Sequence, residues 1–345
     1  MKVGYAVITC QRPPGEDRPD ADLYDEAIDL AVEVEELGFD SVWVAEHHFW
    51  EDSWMSSPLP VCAAIASRTA KIEIGTGLVL APLYQPVRLA EDAATVDVLS
   101  RGRLLLGVGL GWQPHELPAF EMEPTQRVNR LRRAIEVLHS AWEGEPVEGV
   151  GRRLTPAPSR PGGPPIWIGA TSERAIRRAG EIGDGFQASL VESDGTPETF
   201  GKQVRWVKEE LEKAGKDPAD FAFSLVHPVF PWNDGDAWSV VRDHWDYVCW
   251  KYAQWGLEME AGAHESLGAS TPAERPPPMT EEREEWLRQR MVAGTPAEVV
   301  RDMRAYEEAA ETEIHFLAWL YLPGMSAELR LESMRLFAAE VLPSL

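Results

Sequence analysis

Three short stretches carry residues whose types and spacing suit chemistry better than packing. In "SVWVAEHHFW", Ser41–Trp50, an apolar run ends in Glu46, His47 and His48. Ionisable groups at the end of a buried strand are costly unless partnered, so this tip is expected to border a site. An imidazole there can give or take a proton near neutral pH. Either histidine could instead be satisfied by a backbone carbonyl or by Glu46, and both readings stand at this stage. In "GVGLGW", Gly107, Gly109 and Gly111 precede Trp112. The stretch is not a GxGxxG, and Gln113 and Pro114 follow where a dinucleotide fingerprint needs a helix. Glycines at a strand end fit the close passage of a ligand or of another backbone. In "PPIWIGATSERAIRRAG" an apolar strand runs into Gly169, Ala170, Thr171 and Ser172, and a helix begins at once with Glu173 in its first turn. Free N–H groups at a helix start, with a hydroxyl beside them, suit a phosphate. The plainer alternative makes Thr171 or Ser172 an N-cap. No metal site is expected: neighbouring strand residues such as His47 and His48 face opposite sides, and the chain has no HExxH or Cys/His ligand set.

These stretches can act together only if the fold gathers strand ends on one face. Short apolar runs alternate with segments of helical period along the chain. "VGYAVIT" is followed by Leu23, Ala27, Leu30, Ala31, Val34 and Leu37 at helical spacing, up to Gly38. The runs "DSVWVAE", "KIEIGTGLVLA", "GRLLLGVGLGW", "PIWIGA", "DGFQASLV", "FAFSLVHPVF" and "EIHFLAWLY" repeat the pattern, each with a helix behind it. The helix behind the seventh is Trp-rich, from about Asp236 to Trp255, and the last helix is "AELRLESMRLFAAEVL". Eight apolar strands in such pairs predict an α/β fold, a (β/α)8 TIM barrel over residues 1–345, with the site at the strands' C-terminal ends. An open doubly wound sheet is the alternative. Residues 262–291 break the rhythm and are expected to be a lid or insertion before the last strand.

The formal charge of −24, from 57 acidic against 33 basic residues, disfavours nucleic acid as a partner. No run reaches the ~18 apolar residues of a membrane helix. Cys10, Cys62 and Cys249 stand far apart, which argues against a disulfide framework and for a reducing compartment. The N-terminus lacks a signal-peptide pattern, so a cytoplasmic location is expected.

With "LGFDSVWVAEHHF", "GTGLVLAPLYQPVRLAEDAATVDVLSRGRLLLGVGLGW", "PPIWIGATSERAIRRAGEIGDGF", "VAGTPAEVV" and "LFAAEVLPSL" in this order, the chain resembles the bacterial luciferase-like family of flavin-dependent oxidoreductases. The resemblance implies a barrel of the same kind, commonly dimeric, that binds reduced FMN or, in a sister group, the deazaflavin F420. His47 matches the histidine of luciferase α-type subunits, implying a proton-handling role in forming or breaking down the flavin peroxide. Thr171, Ser172 and Glu173, with Gly169 and Ala170 before them, fall where the family binds the flavin phosphate. Gly77 and Leu78 fall where it often carries a cis peptide beneath the flavin ring. Trp245 resembles an aromatic lining the substrate pocket, to which Glu46, His48, Trp112 and Leu190 are also assigned. Gly109 and Leu110 replace a reactive cysteine and a phosphate-binding arginine, and Leu190 a tryptophan, so light emission is not implied; Arg127 could supply the missing charge. The function implied is an FMN monooxygenase oxygenating a small organic substrate. With no nicotinamide site legible, a separate flavin reductase is the expected partner, and a homodimer the expected assembly. An F420-dependent hydride-transfer enzyme and a non-catalytic flavin-binding partner subunit are the alternatives; "EHHF" leans to FMN, because deazaflavin users often show an aspartate before a single histidine.

Overall fold

The computed structural model describes all residues except 13–14, 114–115, 190–192, 262–275 and 277, and describes 254–261 by backbone only. Its strands are β1 (Lys2–Ile8), β2 (Ser41–Val44), β3 (Glu73–Thr76), β4 (Leu104–Val108), β5 (Ile166–Ala170), β6 (Gly185–Ser189), β7 (Ala222–Pro231), β8 (Val292–Gly294) and β9 (His315–Trp319). Strands β1 to β7 and β9 pair in parallel around a closed ring, with β9 between β7 and β1. This is the eight-stranded barrel that the apolar runs predict. The ninth strand, β8, was not foreseen; it pairs with Val229–Pro231 at the far end of β7.

The helices are α1 (Asp20–Glu36), α2 (Pro58–Arg68), α3 (Pro86–Ser100), α4 (Glu116–Ala119), α5 (Arg127–Trp142), α6 (Glu173–Ile182), α7 (Pro197–Ala214), α8 (Ala237–Ala261), α9 (Glu281–Arg288), α10 (Pro296–Ala310) and α11 (Ala327–Leu336). Helix α1 buries Leu23, Ala27, Leu30, Ala31 and Val34, the stripe that its period announces. One assignment needs correcting. The Trp-rich α8 is not the helix that covers the seventh unit. That place belongs to α10, which packs on α7 and β7, while α8 packs on α9, β8 and β7. Thr295 and Glu298 close a capping box at the start of α10, and Val299, Met303, Tyr306 and Ala310 form its buried face. Residues 281–288, expected as irregular loop, form α9; residues 262–275 and 277 of that expected lid lie outside the described residues. Trp238 Nε1 donates to Glu284 Oε1 (2.7 Å), Trp245 Nε1 to the Leu287 carbonyl (3.2 Å) and Arg283 Nε to Asp246 (2.5 Å), so α8 and α9 are fastened along their length.

Trp43 fills the lower barrel. A Cβ at Gly75 would lie 2.3 Å from its indole and one at Gly4 2.9 Å, so only glycine leaves room there. Trp43 packs on Trp167 (centroids 5.1 Å), and its Nε1 donates to Ser41 Oγ (2.7 Å), which also bonds His315 Nε2 (2.8 Å). All three cysteines are buried, and burial pushes the thiols of Cys10 and Cys62 up to about 12.

Candidate active site

Strand β2 ends at Val44, and the next residues are held first by backbone bonds. Ala45 N–H donates to the Ile8 carbonyl (3.2 Å) and His47 N–H to that of Met55 (3.0 Å). Past that point the two histidines part. His47 Nδ1 lies 3.1 Å from Glu116 Oε1, an oxygen that also accepts the His48 backbone N–H (2.9 Å). Glu116 is fully buried, and its Oε2 has no hydrogen-bond partner among the described residues. A carboxylate only accepts, so the contact assigns the ring proton to Nδ1. Glu116 was missed from the sequence: it stands on the one-turn α4, 69 residues from His47.

His48 turns the other way. Its Nε2 lies 2.7 Å from Glu46 Oε1, and its ring packs on Phe120 (4.7 Å). Glu46 Oε2 accepts the Leu80 N–H (2.9 Å), with the Tyr84 hydroxyl as a further partner. Burial drives the Glu46 carboxyl above its usual range, against the pull of His48 and the Leu80 amide. Burial and Glu46 together push Tyr84 up as well. Glu46 therefore clamps the tip of β2 to the chain leaving β3, just beyond the Gly77–Leu78 peptide. That peptide is cis, as the resemblance implied.

Gly77 N–H donates to the Val44 carbonyl (2.6 Å), and its bare α-carbon faces Gln187, whose buried Oε1 has no partner among the described residues. Gly109 and Gly169 lie against the Leu78 side chain: a Cβ would come within 2.8 Å of it at Gly109 and 2.1 Å at Gly169. Their lack of side chains is thus explained by another residue of the chain itself. Thr171, Ser172 and Glu173 are exposed, and Ala170 is half-buried. Ser172 is the N-cap residue of α6 by backbone, yet its side chain makes no capping bond. The first-turn amide of Ala175 is taken by the Ser172 carbonyl (2.9 Å), so those of Glu173 and Arg174 are the ones left at the start of α6, while the Glu173 side chain pairs with Arg177 (2.9 Å). Arg127 is fastened to the carbonyls of Gly111 (2.7 Å) and Pro124 (3.1 Å).

Strands β2 to β5 are consecutive neighbours in the ring, so His47, Gly77, Gly109 and Ser172 share one rim. Three spacings of ~4.8 Å put the ends of β2 and β5 roughly 14 Å apart around it.

Aromatic rings close the space over His47. Its ring meets Trp54 edge-on (4.8 Å, 86°) and Trp112 likewise (6.3 Å, 88°). Tyr252, from α8, stands perpendicular to Trp54 (6.3 Å, 81°) and nearly parallel to Trp112 (6.5 Å, 18°). Trp245 is fully buried against Trp319 (6.0 Å) and braces α8. Leu190 lies outside the described residues. Trp54, Tyr252, Gln187 and Gln113, buried and without a side-chain partner among the described residues, were not singled out from sequence; the local signal was the crowding of aromatics after "EHHF" and along α8.

A family model described as luciferase-like monooxygenase matches residues 1–313. An F420-dependent glucose-6-phosphate dehydrogenase of Amycolatopsis mediterranei is 29% identical over 100% of this chain and 98% of its own. The oxygenase component of a flavin-dependent trigonelline monooxygenase from Acinetobacter baylyi is 26% identical over 93% of this chain and 90% of its own. Among solved structures, the monooxygenase RslO1 from Streptomyces bottropensis superposes with a TM-score of 0.78 at 23% identity, covering 99% of both chains, and so shares the fold. The chain belongs to the luciferase-like monooxygenase family, and is an enzyme of that flavin-dependent oxidoreductase class, whose members use FMN or F420.

Proposed function

We propose that this member of the luciferase-like monooxygenase family takes up reduced FMN from a separate reductase and uses it with O2 to oxygenate a small organic substrate. The observation that carries the reading is the His47–Glu116 pair, an imidazole held by a buried carboxylate at the barrel mouth. The fit to a flavin rests on three features. The α6 N-terminus offers the Glu173 and Arg174 amides and the hydroxyls of Thr171 and Ser172 to a phosphate. The bare α-carbon of Gly77 lets the Gln187 amide approach closely, and Gln187 Oε1, without a partner among the described residues, can accept from a ring N–H.

When bound, reduced FMN would supply the electrons that activate O2. The chain's own residues do the rest. Glu116 orients His47, so that Nε2 holds or passes one proton at the reacting atoms. Trp54, Trp112 and Tyr252 keep water from the same space. Glu46 fixes the Gly77–Leu78 segment relative to His47.

The trigonelline oxygenase component, matched along most of its length, supports the oxygenase reading and its separate source of reduced flavin. The fuller match to an F420-dependent dehydrogenase favours a second reading, hydride transfer with F420 and no role for O2. F420 is the more anionic cofactor, and the chain's charge of −24 weighs against it. Titrating the purified protein with FMN, reduced FMN and F420 separates the two. Tight F420 binding with neither flavin form held, or steady turnover of NADH with free FMN and no reductase, would overturn the reading.

A further inference from the structure

Arginine is disfavoured at the start of a helix, where the macrodipole is already positive, yet α6 carries three in its first six residues. Arg174, Arg177 and Arg178 do not share one environment. Arg177 is held by Glu173 and, on α7, by Glu209 and Glu210 (2.9, 2.6 and 3.0 Å). Arg178 is only 7% exposed, yet its guanidinium makes no hydrogen bond or ion pair among the described residues. Burial lowers it from the usual arginine range, Arg132 and Arg174 push the same way, and Glu181 opposes them. Glu181 is itself taken by Arg132 (2.6 Å). Arg174 is exposed and likewise unpaired among the described residues, and its backbone amide is one of the two left at the start of α6. On the α5 side of α6 the guanidiniums of Arg132, Arg174 and Arg178 thus meet the one carboxylate of Glu181, in a chain whose net charge is −24.

We infer that Arg174, with Arg178 behind it, is the cation that reads the flavin's phosphate, and that the phosphate lies on the α5 side of the α6 N-terminus. This deepens the proposed function and rests on its assignment of that N-terminus to the flavin. A phosphate dianion there offsets the repulsion among the arginines and accepts from the Glu173 and Arg174 amides and from a hydroxyl of Thr171 or Ser172. The α7 side is the wrong sign for it, since three carboxylates crowd Arg177 there. Arg127, the cation that the sequence offers for this task, is occupied by the Gly111 and Pro124 carbonyls. Arg178 stands one helical turn, roughly 6 Å, beyond Arg174, so it acts on the phosphate through charge rather than contact. A site of this kind separates FMN from riboflavin, which has the same ring system and no phosphate.

The test is anaerobic equilibrium dialysis of the whole chain against reduced FMN and against reduced riboflavin. The natural protein should hold FMN at least ~10-fold tighter, the worth of one charge-assisted contact. That preference should shrink in ~1 M salt, where the screening length falls to about 3 Å. Arg174→Gln should remove most of it without changing the affinity for riboflavin, Arg174→Lys should keep part of it, and Arg127→Gln should leave it intact. Without ligand, Arg174→Gln should melt no lower than the natural protein, because a repulsion is removed; a clear drop would mark a structural role and count against the inference. A preference that survives Arg174→Gln, or is lost as fully in Arg127→Gln, would overturn it. Equal binding of the two flavins by the natural protein removes the arginine site and leaves the proposed function standing, whereas binding of neither sinks that function and the inference with it.

Discussion

Two buried histidines outside the His47 cluster set how the protein responds to acid. His315 and His227 are almost wholly buried, and burial lowers each from 6.5 to about 3, with Lys2 adding to the effect at His315. The hydrogen bonds agree. The Tyr306 hydroxyl donates its one proton to the Gly195 carbonyl (2.5 Å), so it accepts from His227 Nε2 (3.1 Å); Nδ1 has no partner among the described residues to receive a second proton. Because the native pKa lies below the unfolded one, the unfolded chain binds more protons between about pH 6.5 and 3. Stability is therefore complete above 6.5 and is lost as pH falls through that window. At pH 5 the linkage amounts to about 2 kcal/mol per histidine, or about 4 kcal/mol for the pair, a large part of a typical 5–15 kcal/mol. The perturbation is His227→Gln with His315→Gln, which keeps a hydrogen-bonding side chain but removes the titration. Urea unfolding at pH 8 and pH 5 should show the natural protein losing about 4 kcal/mol more than the double variant, with each single variant near half of that. Titrations common to both proteins, the raised Glu46 among them, cancel in the comparison. Parallel losses, equal within about 1 kcal/mol, would refute the reasoning.

Replacing Glu116 with Gln keeps an acceptor for His47 and for the His48 amide but removes the charge, and single-turnover oxygenation should slow by ~100-fold while flavin affinity holds. His47→Ala should likewise keep the fold and bind flavin; unchanged turnover would remove His47 from the mechanism. Gly169→Ala drives a methyl to 2.1 Å from Leu78 and should cost about 1–3 kcal/mol in thermal unfolding, a penalty that shrinks in combination with Leu78→Ala. Ser172→Ala should leave stability within about 0.5 kcal/mol, because no capping bond is lost where one is ordinarily worth about 1, yet weaken FMN binding several-fold by titration.

The sequence by itself determined what depends on local period. Continuous apolar runs marked the eight barrel strands, helical spacing marked α1, and the polar residues at strand ends pointed to one face. It did not reveal α10, whose place the Trp-rich segment filled in that reading, since only the ring of packed neighbours says which helix lies beside α7. Nor did it make Glu116 the partner of His47, or distinguish a glycine that admits a ligand from one that admits Leu78. Those were decided by closure of the barrel. Periodicity acts over a few residues and is written in the order of side chains. The pairing of an imidazole with a carboxylate 69 positions away exists only once the strand tips have been brought to a common rim.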